Sequence, residues 1–472
     1  MQEEGNLMLF SELAAALEKG MEGHLLSFSA GRGFSSVCID SREVKPGALF
    51  VALRGAVQDG HRYVEAAFKA GAAAALVEEA ALLDRSLGLA DLARKACAAL
   101  IAVKNTLQAL QASAHSYLSK FPNLVKIGIT GSSGKTTTKE IASSIIAREK
   151  RVVMNPGNLN SETGLPLSVF NVRQDHEVAV NELGMNRKGE IAELAAVLNP
   201  KIALVTGTGT SHIGIIGSKR LIALEKRDIF SCFSGNETAL IPSDDEYRDF
   251  LAEGTNGKIR FYNLEAFPEL GPVRDLGLWG SEISWEGSPA RFPLPGKYNL
   301  RNALAAIAIA QELGCGGRAI REGLESVKPL FGRGEILEGP VTVIRDCYNA
   351  NPESMEAVIE FCDSIPVTGR RIYVIGSMLE LGRSSEEAHR KLGRQLSRSR
   401  GDLIFLYGEE TLPAAEILKN AGNKVFFHTT VMGCLARLLR EHIQTGDYVL
   451  LKGSRGCALE QLGDFIGGKS CS

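Results

Sequence analysis

A chain of 472 residues, at roughly 150 residues per domain, predicts about three domains, and 44% hydrophobic with 23% charged residues excludes wholesale disorder. The formal net charge of −2 excludes the basic excess that drives non-specific binding, so no nucleic-acid partner is expected. No apolar run approaches the roughly 20 residues that span a bilayer, acids stand where a signal peptide would be basic, and nine scattered cysteines lack C-x-x-C spacing, so a cytoplasmic protein with no membrane span is expected.

Residues 1–104 read as a small α/β domain. Its clearest stretch is Val37–Arg42 followed by Pro46–Leu53, two strands around a Pro-Gly turn. Asp59-Gly60-His61 opens an Ala-rich helix to about Ala70, with Gly71 as its stop. The stretch from Ala102 to Lys120 reads as a helix leading into a second domain, 105–330. From Val125 the pattern alternates: strands in VKIGIT, EVAVNELG, KIALVTGTG and ETALIPSDD, with helices between. Such alternation implies a mostly parallel, buried sheet. The linker is expected near Pro329–Gly334. A third domain, 331–472, repeats the alternation through VTVIRDCY, RIYVIG, DLIFLYG and DYVLLKG, and reads as an open Rossmann-like sheet. The predicted fold class is therefore α/β throughout: a small α/β domain, a central P-loop ATPase-type parallel sheet and a C-terminal Rossmann-like domain.

The chemistry concentrates first in Thr130-Gly131-Ser132-Ser133-Gly134-Lys135-Thr136-Thr137, between a predicted strand and a predicted helix. In that context a glycine loop cradles phosphate: backbone N–H groups turn inward and the helix N-terminus adds its positive end. Lys135 is expected to reach the β- and γ-phosphates, and the Thr136 hydroxyl to sit on a magnesium ion. The loop is a shortened form of the usual spacing, because Ile129 stands five residues before Gly134.

This loop resembles the ATP loop of the Mur ligases, the ATP-dependent amide-forming enzymes of peptidoglycan precursor synthesis. Further motifs follow in the family's order: Asn158–Leu167, Glu182-Leu183-Gly184-Met185, Leu294-Pro295-Gly296 with Asn299 and Asn302, and Met378–Gly382 with Lys452-Gly453-Ser454-Arg455. Tyr348-Asn349-Ala350-Asn351-Pro352 resembles the hallmark of one branch of that family, the ligases that join D-alanyl-D-alanine to UDP-MurNAc-tripeptide. The resemblance runs from Asp40-Ser41-Arg42 to Arg455. It implies ATP and magnesium as cofactors, those two substrates as partners, and a monomer.

The resemblance also implies residue roles. Lys135, Lys226 and His212 would be catalytic. Gly131, Ser132, Ser133, Gly134, Lys135, Thr136 and Thr137 would hold the ATP phosphates, Asn302 the adenine, Asp346 the ribose, and Arg333 phosphate charge. Thr136, Glu182, His212 and Lys226 would form the metal set, with Lys226 as a carbamate; that reaction needs a neutral amine and hence a lowered pKa. By residue type alone Lys226 is equally a solvated helical lysine. Ser41 and Arg42 match the uridine-side motif, and Asn160 and Ser161 would contact the muramoyl peptide and its diphosphate. Asn349 and Asn351 would meet ATP or the dipeptide, although asparagine before proline is also a turn signal. Gly207, Tyr298 and Ser377 depart from the family's usual asparagine, histidine and aspartate.

Overall fold

The computed structural model describes residues 5–18, 24–25, 32–55, 57–84, 86–466 and 469–470. The chain divides into two compact units: residues 1–128, 151–185 and 189–201 form one, and 129–150, 186–188 and 202–472 the other. The α/β class is as the alternation predicted.

In the first unit, the strands Ser36–Cys38, Ala48–Val51, Ala74–Glu78 and Ala99–Val103 pair in parallel, and His24–Leu25 adds antiparallel to the last. The strands on either side of Pro46-Gly47 are therefore not a hairpin. A 3₁₀ turn over Ser41–Glu43, capped by the Asp40 carboxylate, returns the chain so that Ser36 pairs with Ala48 in the same direction. Burial explains the sequence: Phe50, Val64, Val77 and Leu100 are almost fully enclosed, and strands covered on both faces read as continuous apolar runs. The expected helix after Asp59 starts as a 3₁₀ turn, Gly60–Tyr63, and continues as Val64–Lys69. The helix expected from Ala102 starts only at Thr106, because Ala102 and Val103 finish a strand; Asn105 caps it through Gln108 N. Further along this unit, Val152–Met154 lies parallel to Val178–Glu182.

The second unit contains parallel strands Ile202–Val205, Thr238–Pro242 and Lys258–Tyr262. An antiparallel three-stranded sheet, Leu270–Asp275, Ser281–Trp285 and Ser288–Phe292, follows; the sequence patterning had not indicated it. The helix Lys297–Glu312 comes next. The last part is a seven-stranded sheet. Its order is Val425–Thr429, Leu403–Tyr407, Arg371–Gly376, Tyr448–Lys452, Thr342–Asp346, Glu335–Glu338, Lys469–Ser470. The first five strands are parallel, Glu335–Glu338 runs against them, and Lys469–Ser470 pairs antiparallel to Glu335–Glu338. Tyr448–Lys452 arrives late in the chain yet lies between Thr342–Asp346 and Arg371–Gly376. The order in which strands are laid down thus reverses there, and ligands of open α/β sheets bind beyond the carboxyl ends of strands at such a point. The loops there are those of Tyr348–Asn351, Ser377–Glu380 and Gly453–Arg455, the three motif segments of the C-terminal region.

Candidate active site

The phosphate loop links the strand Val125–Thr130 to the helix Lys135–Ile146. Two of its glycines are obligatory. Gly131 has φ +151°, and a Cβ there would fall 1.8 Å from Thr206 Oγ1. Gly134 has φ +82°, and a Cβ there would fall 2.2 Å from Asn302 Oδ1. Without side chains, the backbone turns sharply into a helix N-terminus, the geometry that binds phosphate. Lys135 Nζ folds back over the loop and donates to Gly131 O at 2.9 Å. Thr136 and Thr137 are buried at the start of the helix.

A second loop, Thr206–His212, braces the first. Thr206 Oγ1 donates to Ser133 O at 2.6 Å, Gly209 N to Ser132 Oγ at 2.8 Å and Ser211 Oγ to Ser132 O at 3.0 Å. Asp245 fixes this second loop by accepting from Thr208 N and Thr208 Oγ1, each at 2.6 Å. A cavity of 920 Å³ opens beside both, lined by Ser132, Ser133, Lys297, Arg301, Asn302 and Glu353 among others. That volume suits a nucleotide-sized ligand. Asn302 donates to Asn299 Oδ1 at 3.2 Å, which orients it on the cavity wall.

Lys226 lies in the helix Lys219–Arg227 and is 1% exposed, which removes the solvated alternative. Burial pushes its ammonium pKa well down, and the positive charge of Lys135 lowers it further; Asp245 and Glu225 act in the opposite direction. A neutral amine is the form that reacts with carbon dioxide. His212 has a left-handed backbone, φ +62°, and its Nδ1 lies 2.7 Å from Glu380 Oε2. An imidazole with one nitrogen on a carboxylate offers the other as a metal donor. Thr136 offers magnesium a hydroxyl oxygen, and Lys226 would offer it hard oxygen ligands only as a carbamate; no cluster of three His, Cys, Asp or Glu side chains that could hold a metal occurs among the described residues.

The Tyr348–Pro352 motif reaches the phosphate loop. Asn351 is buried and caps the helix Pro352–Ser364 in a capping box with Ser354. Its Nδ2 donates to Ser133 Oγ at 2.9 Å and to Ser211 Oγ at 2.5 Å. Asn351 thus serves both as the turn residue and as a contact to the nucleotide loops. Two residues on, in the first turn of that helix, Glu353 accepts from Thr210 Oγ1 at 2.9 Å. Asn349 is exposed; its Oδ1 accepts from Ala350 N, and its carbonyl accepts from Lys452 Nζ at 2.9 Å. Lys452 also pairs with Asp346 at 2.9 Å. Arg333 stacks 4.0 Å over the Tyr348 ring, and Arg455 flanks the same ring at 5.7 Å. The Tyr298 hydroxyl is enclosed without a hydrogen-bond partner among the described residues, and burial raises its pKa strongly. Ser377 donates to Glu410 Oε2 at 2.7 Å.

The remaining candidates belong to the first unit. Asn160 Nδ2 donates to Glu182 Oε1 at 2.7 Å, and Glu182 N donates to Asn155 Oδ1 at 2.9 Å, which together fix that carboxylate at its strand end. Ser161 Oγ accepts from Gly164 N at 3.2 Å. Ser41 and Arg42 sit in the 3₁₀ turn, with the exposed Arg42 side chain on Asp40. Glu353, Glu380 and Asp245 were missed by sequence reasoning. Glu380 lies inside a quoted motif and Glu353 directly after one, but Thr210 is 143 residues from Glu353 and His212 is 168 residues from Glu380.

Three family models match in succession: "Mur ligase family, catalytic domain" over residues 34–118, "Mur ligase middle domain" over 129–310, and "Mur ligase, glutamate ligase domain" over 332–455. The UDP-N-acetylmuramoyl-tripeptide–D-alanyl-D-alanine ligase of Treponema pallidum is 41% identical across 97% of this chain and 98% of its own. A crystal structure of MurF from Acinetobacter baumannii superposes with a TM-score of 0.84 at 29% identity, covering 97% of this chain and 98% of that one. The MurF ligase of Thermotoga maritima, solved in complex with ADP, gives 0.75 at 27% identity over 91% and 96%. Motif order, phosphate-loop geometry and these matches agree, and the chain belongs to the Mur ligase family.

Proposed function

We propose that this chain joins D-alanyl-D-alanine to the terminal carboxylate of UDP-MurNAc-tripeptide, using ATP. The observation that carries the reading is the seating of the Tyr348–Pro352 loop on the phosphate loop through Asn351, Ser133 and Ser211. A loop specific to one acceptor branch thereby stands where phosphoryl transfer takes place. The γ-phosphate passes to the peptide carboxylate, the dipeptide amine attacks the acyl phosphate, and phosphate leaves.

Both first reactants are anionic, so the protein's work is positioning and charge screening. Lys135 meets the developing charge on the transferred phosphoryl group. Thr136, Glu182, His212 and a carbamylated Lys226 would hold magnesium, which when bound neutralises charge between ATP and the carboxylate. Asn302, Arg333 and Asp346 would take the adenosine and phosphate side. Ser41, Arg42, Asn160 and Ser161 would take the UDP-linked peptide, and Asn349 faces the acceptor side. This reading includes domain boundaries near residues 104 and 330, which the spacing of the three family matches supports. It also includes action as a monomer in the cytoplasm; no helix of the described residues is long and apolar enough to cross a membrane.

The test is incubation with ATP, magnesium, UDP-MurNAc-tripeptides and candidate acceptors, read by the mass of the pentapeptide. The dipeptide has an internal amide, and a carboxylate one residue further from its amine, which a single amino acid lacks, and sites built to pair polar groups reject ligands without them strongly. Its kcat/KM is expected to exceed that of D-alanine, L-lysine or glutamate by about 10³-fold or more. Equal rates with a single amino acid would place the chain at another step of the family.

A further inference from the structure

We propose that Glu380 is a positioning residue for His212, holding its imidazole in the Nδ1–H tautomer so that Nε2 carries the lone pair. This inference deepens the ligase reading and rests on it only for its kinetic arm. His212 Nδ1 and Glu380 Oε2 are 2.7 Å apart. The ring N–H does not point squarely at the carboxylate, and His212 Nδ1 makes no well-aligned hydrogen bond among the described residues. Such contacts in ligand-free sites tighten when the reactants bind. The imidazole contact is also the chief reason the Glu380 carboxyl sits below its ordinary pKa.

The backbone around this pair is built to present it. His212 and Glu380 both adopt left-handed conformations, φ +62° and +65°, which non-glycine residues rarely take. Strain of this kind persists where the surroundings impose it and concentrates at functional sites. Here the two strained residues face one another. Gly214 N donates to Glu380 O at 3.0 Å, and a Cβ on Gly214 would fall 2.5 Å from Gly382 N, so the segments touch backbone to backbone. The Glu380 loop is held from behind: Met378 N donates to the buried His389 Nε2 at 3.1 Å, and Leu379 N to Ser454 Oγ at 2.9 Å. Glu380 itself is half exposed, and exposed pairs add little stability, so its placement serves geometry. Carboxylates behind metal-ligating histidines set tautomer and ring orientation in this way. His212 lies on the nucleotide side and Glu380 on the C-terminal sheet, so correct presentation of His212 is conditional on the 378–382 segment being docked.

The experiment compares Glu380→Ala and Glu380→Gln in the full chain. Histidine ¹⁵N NMR of the ATP-free protein, with His212→Asn to assign the signal, is expected to show the Nδ1–H tautomer in the parent and in Glu380→Gln, whose amide oxygen still accepts. Glu380→Ala is expected to lose it. In ligation assays Glu380→Ala should lower kcat by about 10- to 100-fold with the KM for ATP changed less than about twofold, while Glu380→Gln keeps most of the rate. Melting temperatures near the parent's separate this from unfolding. An unchanged His212 tautomer in Glu380→Ala, or a kcat within twofold of the parent, overturns the proposal. A Gln variant as impaired as Ala overturns it too. If the parent makes no pentapeptide, the ligase reading falls while the tautomer result still decides the role of Glu380.

Discussion

The phosphate loop and the Tyr348–Asn351 loop share a plan: each leaves the carboxyl end of a parallel strand and enters a helix. They are held differently. The phosphate loop takes its shape from two positive-φ glycines, with Lys135 folded onto Gly131 O, and is braced from outside mainly at its backbone, where Thr206 and Ser211 donate to the carbonyls of Ser133 and Ser132. The asparagine loop is secured by side chains that reach distant segments: Asn351 to Ser133 and Ser211, and Lys452 to the Asn349 carbonyl. Bracing through backbone carbonyls separates chemistry from folding, so the side chain aimed at the chemistry can be exchanged with little loss of structure. Anchoring through the loop's own side chains joins the two, and a substitution there disturbs docking together with rate.

The largest break in that comparison is expected at Lys135. Lys135→Ala should lower kcat by about 10²- to 10³-fold or more, because a charge aimed at the transition state is removed, while the fold and melting temperature stay near the parent's. Near-normal turnover would remove the phosphate loop from the mechanism.

Lys226 is expected to show the reverse pairing of activity and stability. Lys226→Met should be nearly inactive, about 10²-fold down or further, and short carboxylates should restore part of the rate to Lys226→Ala by supplying the missing anion. In bicarbonate-free buffer the Met variant should melt above the parent at neutral pH. Between the lowered folded pKa and the ordinary lysine value of about 10.5, the unfolded chain binds the proton that the folded chain lacks, so parent stability rises with pH. The advantage of the Met variant should therefore shrink as pH increases and vanish above that value. A pH-independent difference would contradict the buried, neutral amine.

The smallest expected effect sharpens the contrast most. Asn351→Ala removes a cap and two donated hydrogen bonds, and should cost about 1–2 kcal/mol of stability. Asn351→Asp keeps an acceptor for Ser354 N but cannot donate to Ser133 and Ser211. It should retain most of the stability and still slow ligation about tenfold, roughly 1.4 kcal/mol. If both variants behave alike in the melt and in the assay, the asparagine is only a helix cap.

What the sequence made legible follows the same division. The strands Val125–Thr130 and Arg371–Gly376 lie where the apolar runs VKIGIT and RIYVIG place them, because buried parallel strands are written as continuous hydrophobic stretches. The glycines and Lys135 were legible because their roles depend on neighbours in the chain. The antiparallel sheet from Leu270 to Phe292 was not, since Gly271, Pro272, Gly277 and Gly280 interrupt its pattern and several of its residues are half exposed. Nor was the burial of Lys226, whose charged neighbours in sequence suggested solvent. Glu353 and Glu380 acquire meaning only from residues that the fold brings from far along the chain.

The position of Tyr448–Lys452 bears on how this protein is made. The strand fills the middle of a sheet whose flanking strands, Thr342–Asp346 and Arg371–Gly376, are synthesised some 70 to 100 residues earlier. Until it emerges from the ribosome, those two edges face an open slot, and the loops that carry Asn349 and Glu380 have no common floor. Pairing across such sequence distance is slow and leaves strand edges open to the wrong partner. A nascent chain halted before residue 448 is thus a ready substrate for chaperones and proteases.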